Sequence, residues 1–154
     1  MKKRRAAQAN VGRPWRARFG PTPEGGSEEA WIEAVEALAV RIGQSRGLDS
    51  EGAHFLGVAL REAVVNALHH GAGPDGPRVT VRIEVARGQD LVLTVQDRGP
   101  GFDPSRLPDP LSPENVCRGC GRGIFYMRRF TDEVSFVFPR RGGTVARLRK
   151  RLPA

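Results

Sequence analysis

Between Ser50 and Leu148 the hydrophobic period of this chain changes from helical to alternating, and that switch restricts the folds open to it. From Ser50 to His70, Phe55, Leu56, Ala59, Leu60, Ala63, Val64, Ala67 and Leu68 recur at i, i+3, i+4 spacing, the apolar stripe of one long helix. After the Gly/Pro-rich stretch from Gly71 to Pro77 the period falls to two. Val79 to Val85 alternates as a half-buried strand does, and Leu91 to Asp97 reads as its hairpin partner across Gly88-Gln89-Asp90. A second hairpin is predicted from Val134 to Phe138 and Thr144 to Leu148, across Arg140-Arg141-Gly142-Gly143.

Earlier in the chain, Trp15 to Phe19 suits a short strand. Ser27 is a candidate N-cap followed by Glu28 and Glu29, and Trp31, Ile32, Val35, Leu38, Ala39 and Ile42 then keep helical spacing. Ile124 to Phe130 reads as a short third helix. Early helices followed by hairpin-linked strands predict an α+β fold, a two-layer sandwich with a mixed, mostly antiparallel sheet covered by helices on one face. With 154 residues and no repeat, one domain over residues 15–154 is expected, preceded by a basic flexible arm at 1–14.

Composition narrows the function. No apolar run reaches the ~18 residues that would span a bilayer, and the basic start is not followed by an apolar stretch, so a cytoplasmic protein without membrane contact is expected. The net charge of +8 first suggests nucleic acid. The excess sits at the ends, however. Residues 1–23 hold seven basic groups and residues 134–154 hold six, neither with an acid, while all 17 acids lie between Glu24 and Glu133. Charge runs at chain ends are usually solvated tails and strand edges, which argues against direct nucleic-acid binding and leaves an acidic protein partner at least as good a fit. Cys117 and Cys120 supply half of a four-ligand zinc site, whose other ligands would have to come from His54, His69 or His70; the spacing alone is a weak signal.

Four elements carry the chemistry. Glu62 and Asn66 stand one helical turn apart beside the apolar stripe, where a carboxylate can accept a proton and an amide oxygen can ligate Mg²⁺. Asp97 ends a strand on the face shared by Leu91, Leu93 and Val95, so its carboxylate points inward and needs a partner, which an adenine amino group would supply. Gly99 and Gly101 follow it and allow close backbone approach. Gly121, Arg122 and Gly123 lead into a helix, where exposed N–H groups and the Arg fork suit phosphate. Thr144 opens the last strand, where its hydroxyl can join the hydrogen bonds around Asp97. Each element alone is also a common surface pair, turn or glycine loop.

In this order the four resemble the motifs of the Bergerat-fold ATPases, the superfamily of gyrase, the mismatch-repair MutL proteins and histidine kinases, and within it the small anti-sigma serine kinases of bacterial partner-switching systems. Glu62-Ala-Val-Val-Asn66-Ala-Leu-His-His70-Gly71 is similar to that family's N box. Asp97-Arg-Gly99-Pro-Gly101 and Gly121-Arg-Gly123 are similar to its two glycine boxes, and Gly143-Thr144 to the start of its last strand. The resemblance implies a protein-serine kinase using ATP and Mg²⁺. Glu62 would be the general base, Asn66 the Mg²⁺ ligand and Asp97 the adenine reader, with Gly99, Gly101, Gly121, Arg122, Gly123 and Thr144 around the nucleotide. His70 would have a structural role near the helix end. It also implies a STAS-domain antagonist as substrate, a sigma factor as a further partner, and a homodimer. No helix carrying a phospho-acceptor histidine precedes the domain, which argues against a complete histidine kinase. A non-catalytic ATP-binding anti-sigma or scaffold module is the alternative, and a basic nucleic-acid binder a weaker third.

Overall fold

The computed structural model describes residues 16–19, 27–73, 76, 78–86, 90–103 and 122–153. The expected 1–14 arm, the Gly88-Gln89 turn, Gly121 and the Cys117/Cys120 pair lie outside them. The elements run β1 (Arg16–Phe19), α1 (Glu28–Ser45), α2 (Ser50–His70), β2 (Thr80–Val85), β3 (Asp90–Gln96), α3 (Arg122–Phe130), β4 (Glu133–Val137) and β5 (Val145–Arg151).

Local signals start both long helices. The Ser27 hydroxyl accepts the Ala30 N–H at 3.2 Å, and Asp49 Oδ1 accepts the Gly52 N–H at 2.7 Å. Each such cap contributes about 1 kcal/mol by satisfying a donor the helix cannot. α2 is the central element. Leu56, Ala59, Leu60 and Val64 are fully buried, and each of the larger side chains gains about 2 kcal/mol from leaving water. α1 packs along one side of α2. On the other side α3 runs back along it, held at its far end by Phe130, whose ring stacks on Phe55 with centroids 4.4 Å apart. The first turn of α3 is thereby brought to the middle of α2.

The sheet has five strands in the order β1-β2-β3-β5-β4, and every pair is antiparallel. Alternation decides its two sides. Val81, Ile83, Val85, Leu91, Leu93, Val95, Ala146 and Leu148 point into one core with the helices, while Arg82, Gln96, Arg147 and Arg151 are exposed. The two-layer α+β architecture is thus as the hydrophobic periods predict, with the helices among the described residues on one face. Boundaries differ in two instructive places. β5 continues to Arg151, three residues past the apolar pattern, because pairing with β3 through Asp90↔Arg151 supplies backbone partners whatever the side chains are. α3 begins at Arg122 and includes Gly123, which no propensity favours.

Candidate nucleotide site

Between α2, α3 and the helix-facing side of β3, β4 and β5 lies a cavity of about 420 Å³. That volume falls within the few-hundred-Å³ range of small-molecule sites. Its two ends are built differently.

At one end, three backbone segments interlock around Asp97, which is 6 % exposed. Its Oδ1 accepts the N–H of Gly99 and the N–H of Thr144, both at 2.9 Å, and its own N–H donates to the Thr144 carbonyl at 3.0 Å. The Gly143 N–H donates to the Gly99 carbonyl at 2.8 Å. Among the described residues Oδ2 accepts nothing, so it remains an acceptor at the cavity wall. Thr144 therefore holds Asp97 through its main chain. Glycine is required here for space. A Cβ on Gly71 would run into the Ala67 carbonyl and Asp97, one on Gly99 would stand 2.5 Å from Gly71 Cα, and one on Gly143, where φ is +92°, would strike the Asp97 carbonyl.

At the other end the same closeness is made by side chains. Glu62 Oε2 and Asn66 Nδ2 each lie 2.9 Å from where a Cβ on Gly123 would stand, so α3 enters on top of the pair. Burial pushes the Glu62 carboxyl above its ordinary 4.5, and the Arg61 guanidinium partly opposes the rise. Arg61 itself is drawn toward α1, 3.2 Å from Glu36. A carboxylate with a raised pKa beside a neutral amide is a proton acceptor next to a hard oxygen ligand, the donor chemistry Mg²⁺ takes.

The fold thus gathers Glu62, Asn66 and Gly123 at one end and Asp97, Gly99 and Thr144 at the other, with Gly101 on the wall at φ +78°. Arg122 begins α3 next to them. Cavity-lining residues also came from outside the motifs. Phe136 and Ala146 stand opposite one another in the β4–β5 register, and the alternation of those strands marks both as inward. Phe102 lines the mouth edge-on to Phe136 and Phe138, at 5.1 and 5.4 Å; it belongs to no strand, so no period points to it. His70, expected to be structural, is exposed and lines the cavity as well. His54 is about 23 Å away from His69 and His70 along the α2 axis, so the three cannot complete one zinc site. No helix among the described residues is long and apolar enough to cross a membrane.

The family model of the histidine kinase-like ATPase domain matches residues 27–150. The chain is 33% identical over 98 residues to an anti-sigma F factor of Heyndrickxia coagulans, an alignment covering 60% of this chain and 65% of that protein, just under two thirds of its length. Two solved structures share the fold. One is a chain of the SiaB-SiaC complex from Pseudomonas aeruginosa (TM-score 0.63, 15% identity, 86% of this chain and 88% of that one). The other is the RsbU and RsbW domains of Rv1364c from Mycobacterium tuberculosis (TM-score 0.58, 20% identity, 91% of this chain and 32% of that one). With Asn66, Asp97, Gly101, Gly123 and Thr144 on one cavity and the family match spanning both layers of the sandwich, the chain belongs to the histidine kinase-like ATPase domain family, an ATP-binding domain.

Proposed function

We propose that this protein is an ATP-dependent protein-serine kinase and anti-sigma-type regulator, which phosphorylates a serine on a STAS-domain antagonist in a partner-switching pathway controlling transcription. One observation carries the reading: the half-buried Glu62 carboxylate and the Asn66 amide meet beside Gly123 at the opposite end of a cavity from Asp97. The similarity to an anti-sigma F factor supports the regulatory role.

In this reading Asp97 Oδ2 accepts a hydrogen bond from the adenine amino group. Its Oδ1 stays fixed by two backbone donors, so recognition needs no rearrangement. Asn66 and the nucleotide's phosphates would hold Mg²⁺, which when bound neutralises phosphate charge. The N-terminal turn of α3, with Arg122 and Gly123, faces the phosphate end. Glu62 takes the proton of the serine hydroxyl as that oxygen bonds to the γ-phosphorus and the bond to the ADP oxygen breaks. Little else is asked of the protein, since phosphoryl transfer depends mainly on positioning and charge neutralisation. A homodimer and a sigma-factor complex belong to the same proposal.

Incubation with Mg²⁺–[γ-³²P]ATP and a cognate STAS-domain protein should label a serine. Glu62→Gln should cut transfer by about 10²–10⁴-fold while ATP affinity changes little. Retained partner control with no label from the wild-type protein would instead establish a non-catalytic ATP-binding scaffold.

A further inference from the structure

The side of the sheet turned away from the helices carries two exposed arginines, Arg82 and Arg147, in one cross-strand row. Strand register places Arg82, Thr94, Arg147 and Ser135 side by side across β2, β3, β5 and β4, and Arg18 of β1 is the register partner of Arg82. Arg82 and Arg147 are exposed, and among the described residues neither makes an ion pair. They lie two strands apart, about 10 Å at the usual strand spacing. Thr94 between them is 2 % exposed although no helix among the described residues covers this side. Long basic side chains shield such a residue with their stems and keep their charged heads in water. The neighbouring row differs. There Arg149 is neutralised by Asp90 at 3.1 Å and Glu133 at 2.7 Å. One row of the face is therefore balanced internally, and the next is left positive.

We infer that this open sheet face is a docking surface for an acidic protein segment, whose carboxylates pair with Arg82 and Arg147. A second copy of the chain fits poorly, because a two-fold contact through this face would set arginine rows against each other. Single-stranded nucleic acid fits less well than carboxylates, since sheet faces that read it do so with stacking aromatics. The described strand residues on this face include none. The face is on the reverse of the sheet from the cavity, so a partner there leaves nucleotide access open. The inference stands apart from the kinase reading, and a failed transfer assay would not touch it.

The test uses the full chain and a fluorescent poly-glutamate peptide, with single-stranded DNA of matched length as comparison, followed by anisotropy at low salt. Arg82→Glu/Arg147→Glu should weaken peptide binding about tenfold, and Arg82→Gln/Arg147→Gln about threefold. Arg128→Glu/Arg129→Glu on α3, with the same change in net charge, should have less than half that effect on the logarithm of affinity. ATP affinity should be unchanged in all three. Equal losses from the sheet and α3 pairs would overturn the inference by reducing it to net charge. So would unaltered peptide binding, or a greater loss for DNA than for peptide. A change in sedimentation of the Arg82/Arg147 variants with unaltered peptide binding would assign the face to a second copy and overturn it equally.

Discussion

The two ends of the cavity reach similar closeness by opposite means. Around Asp97, backbone meets backbone: Gly71 against Asp97 and the last turn of α2, Gly99 against Gly71, Gly143 against the Asp97 carbonyl. Around Glu62 and Asn66, the atoms crowding Gly123 are the outer ends of side chains, which can rotate aside. Recognition of an unreactive base profits from a mould that cannot move. On the proposed reading, the Glu62 end exchanges a proton and a phosphoryl group and needs groups able to shift within a turn of helix. The difference predicts that identical chemical changes will have different consequences at the two ends.

The largest effect is expected from Gly143→Ala. The new methyl meets a main-chain carbonyl, and φ of +92° is a conformation that L side chains rarely adopt, so the two costs add to about 3 kcal/mol of stability. Denaturant melts should show the loss with or without nucleotide. Gly123→Ala makes the opposite case. Its methyl displaces Glu62 and Asn66 rather than backbone, so stability should stay within about 1 kcal/mol because alanine also favours the helix. Transfer should nevertheless fall by about 10²-fold, the usual penalty of a displacement near 1 Å at reacting groups. If both variants melt alike, the contrast between the two ends is wrong.

Asp97→Asn separates holding from reading. The Asn oxygen can still accept the Gly99 and Thr144 N–H groups, so the interlock should survive. Its NH₂, however, would face the adenine amino group donor to donor. ATP affinity should drop by about 10- to 100-fold in calorimetry, with little change in melting temperature. Loss of the fold instead would mean that Asp97 is chiefly a structural brace.

Much of this arrangement was legible in the sequence, and what escaped did so for a physical reason. Helix starts are local events, so Ser27 and the stripe of α2 announced themselves. Period-two alternation also placed Asp97 inward, because it continues the parity of Leu91, Leu93 and Val95. By contrast, the donors that fix Asp97 include Thr144, 47 residues later, and no local pattern encodes such a pairing. The strand order β1-β2-β3-β5-β4 is similarly a long-range outcome. The sequence pattern starts α3 at Ile124, after a glycine-rich loop that leads into it. Its actual start at Arg122 goes with close packing on Glu62 and Asn66, where a residue without Cβ leaves those two side chains undisplaced. Propensity lost to contact there.

The smallest effect tests whether Glu62 is as free as the open end requires. Its folded pKa lies above the ordinary 4.5, with burial the main cause and Arg61 opposing it. The folded protein therefore binds this proton more tightly than the unfolded chain does. The stabilising contribution is full below about pH 4.5 and is lost as pH rises through the folded value. At neutral pH Glu62→Gln should be slightly more stable than wild type, and the gap should close as pH falls below 4.5. Arg61→Ala removes the opposing charge, so the carboxyl should rise further and the acidic limb of the transfer rate should move to higher pH. Its loss of the Glu36 ion pair, part-exposed at 36 % and 23 %, should cost no more than about 1 kcal/mol, so the limb can be read on folded protein. A limb that stays in place, or moves to lower pH, would mean that the proton acceptor is some group other than the carboxylate beneath Gly123.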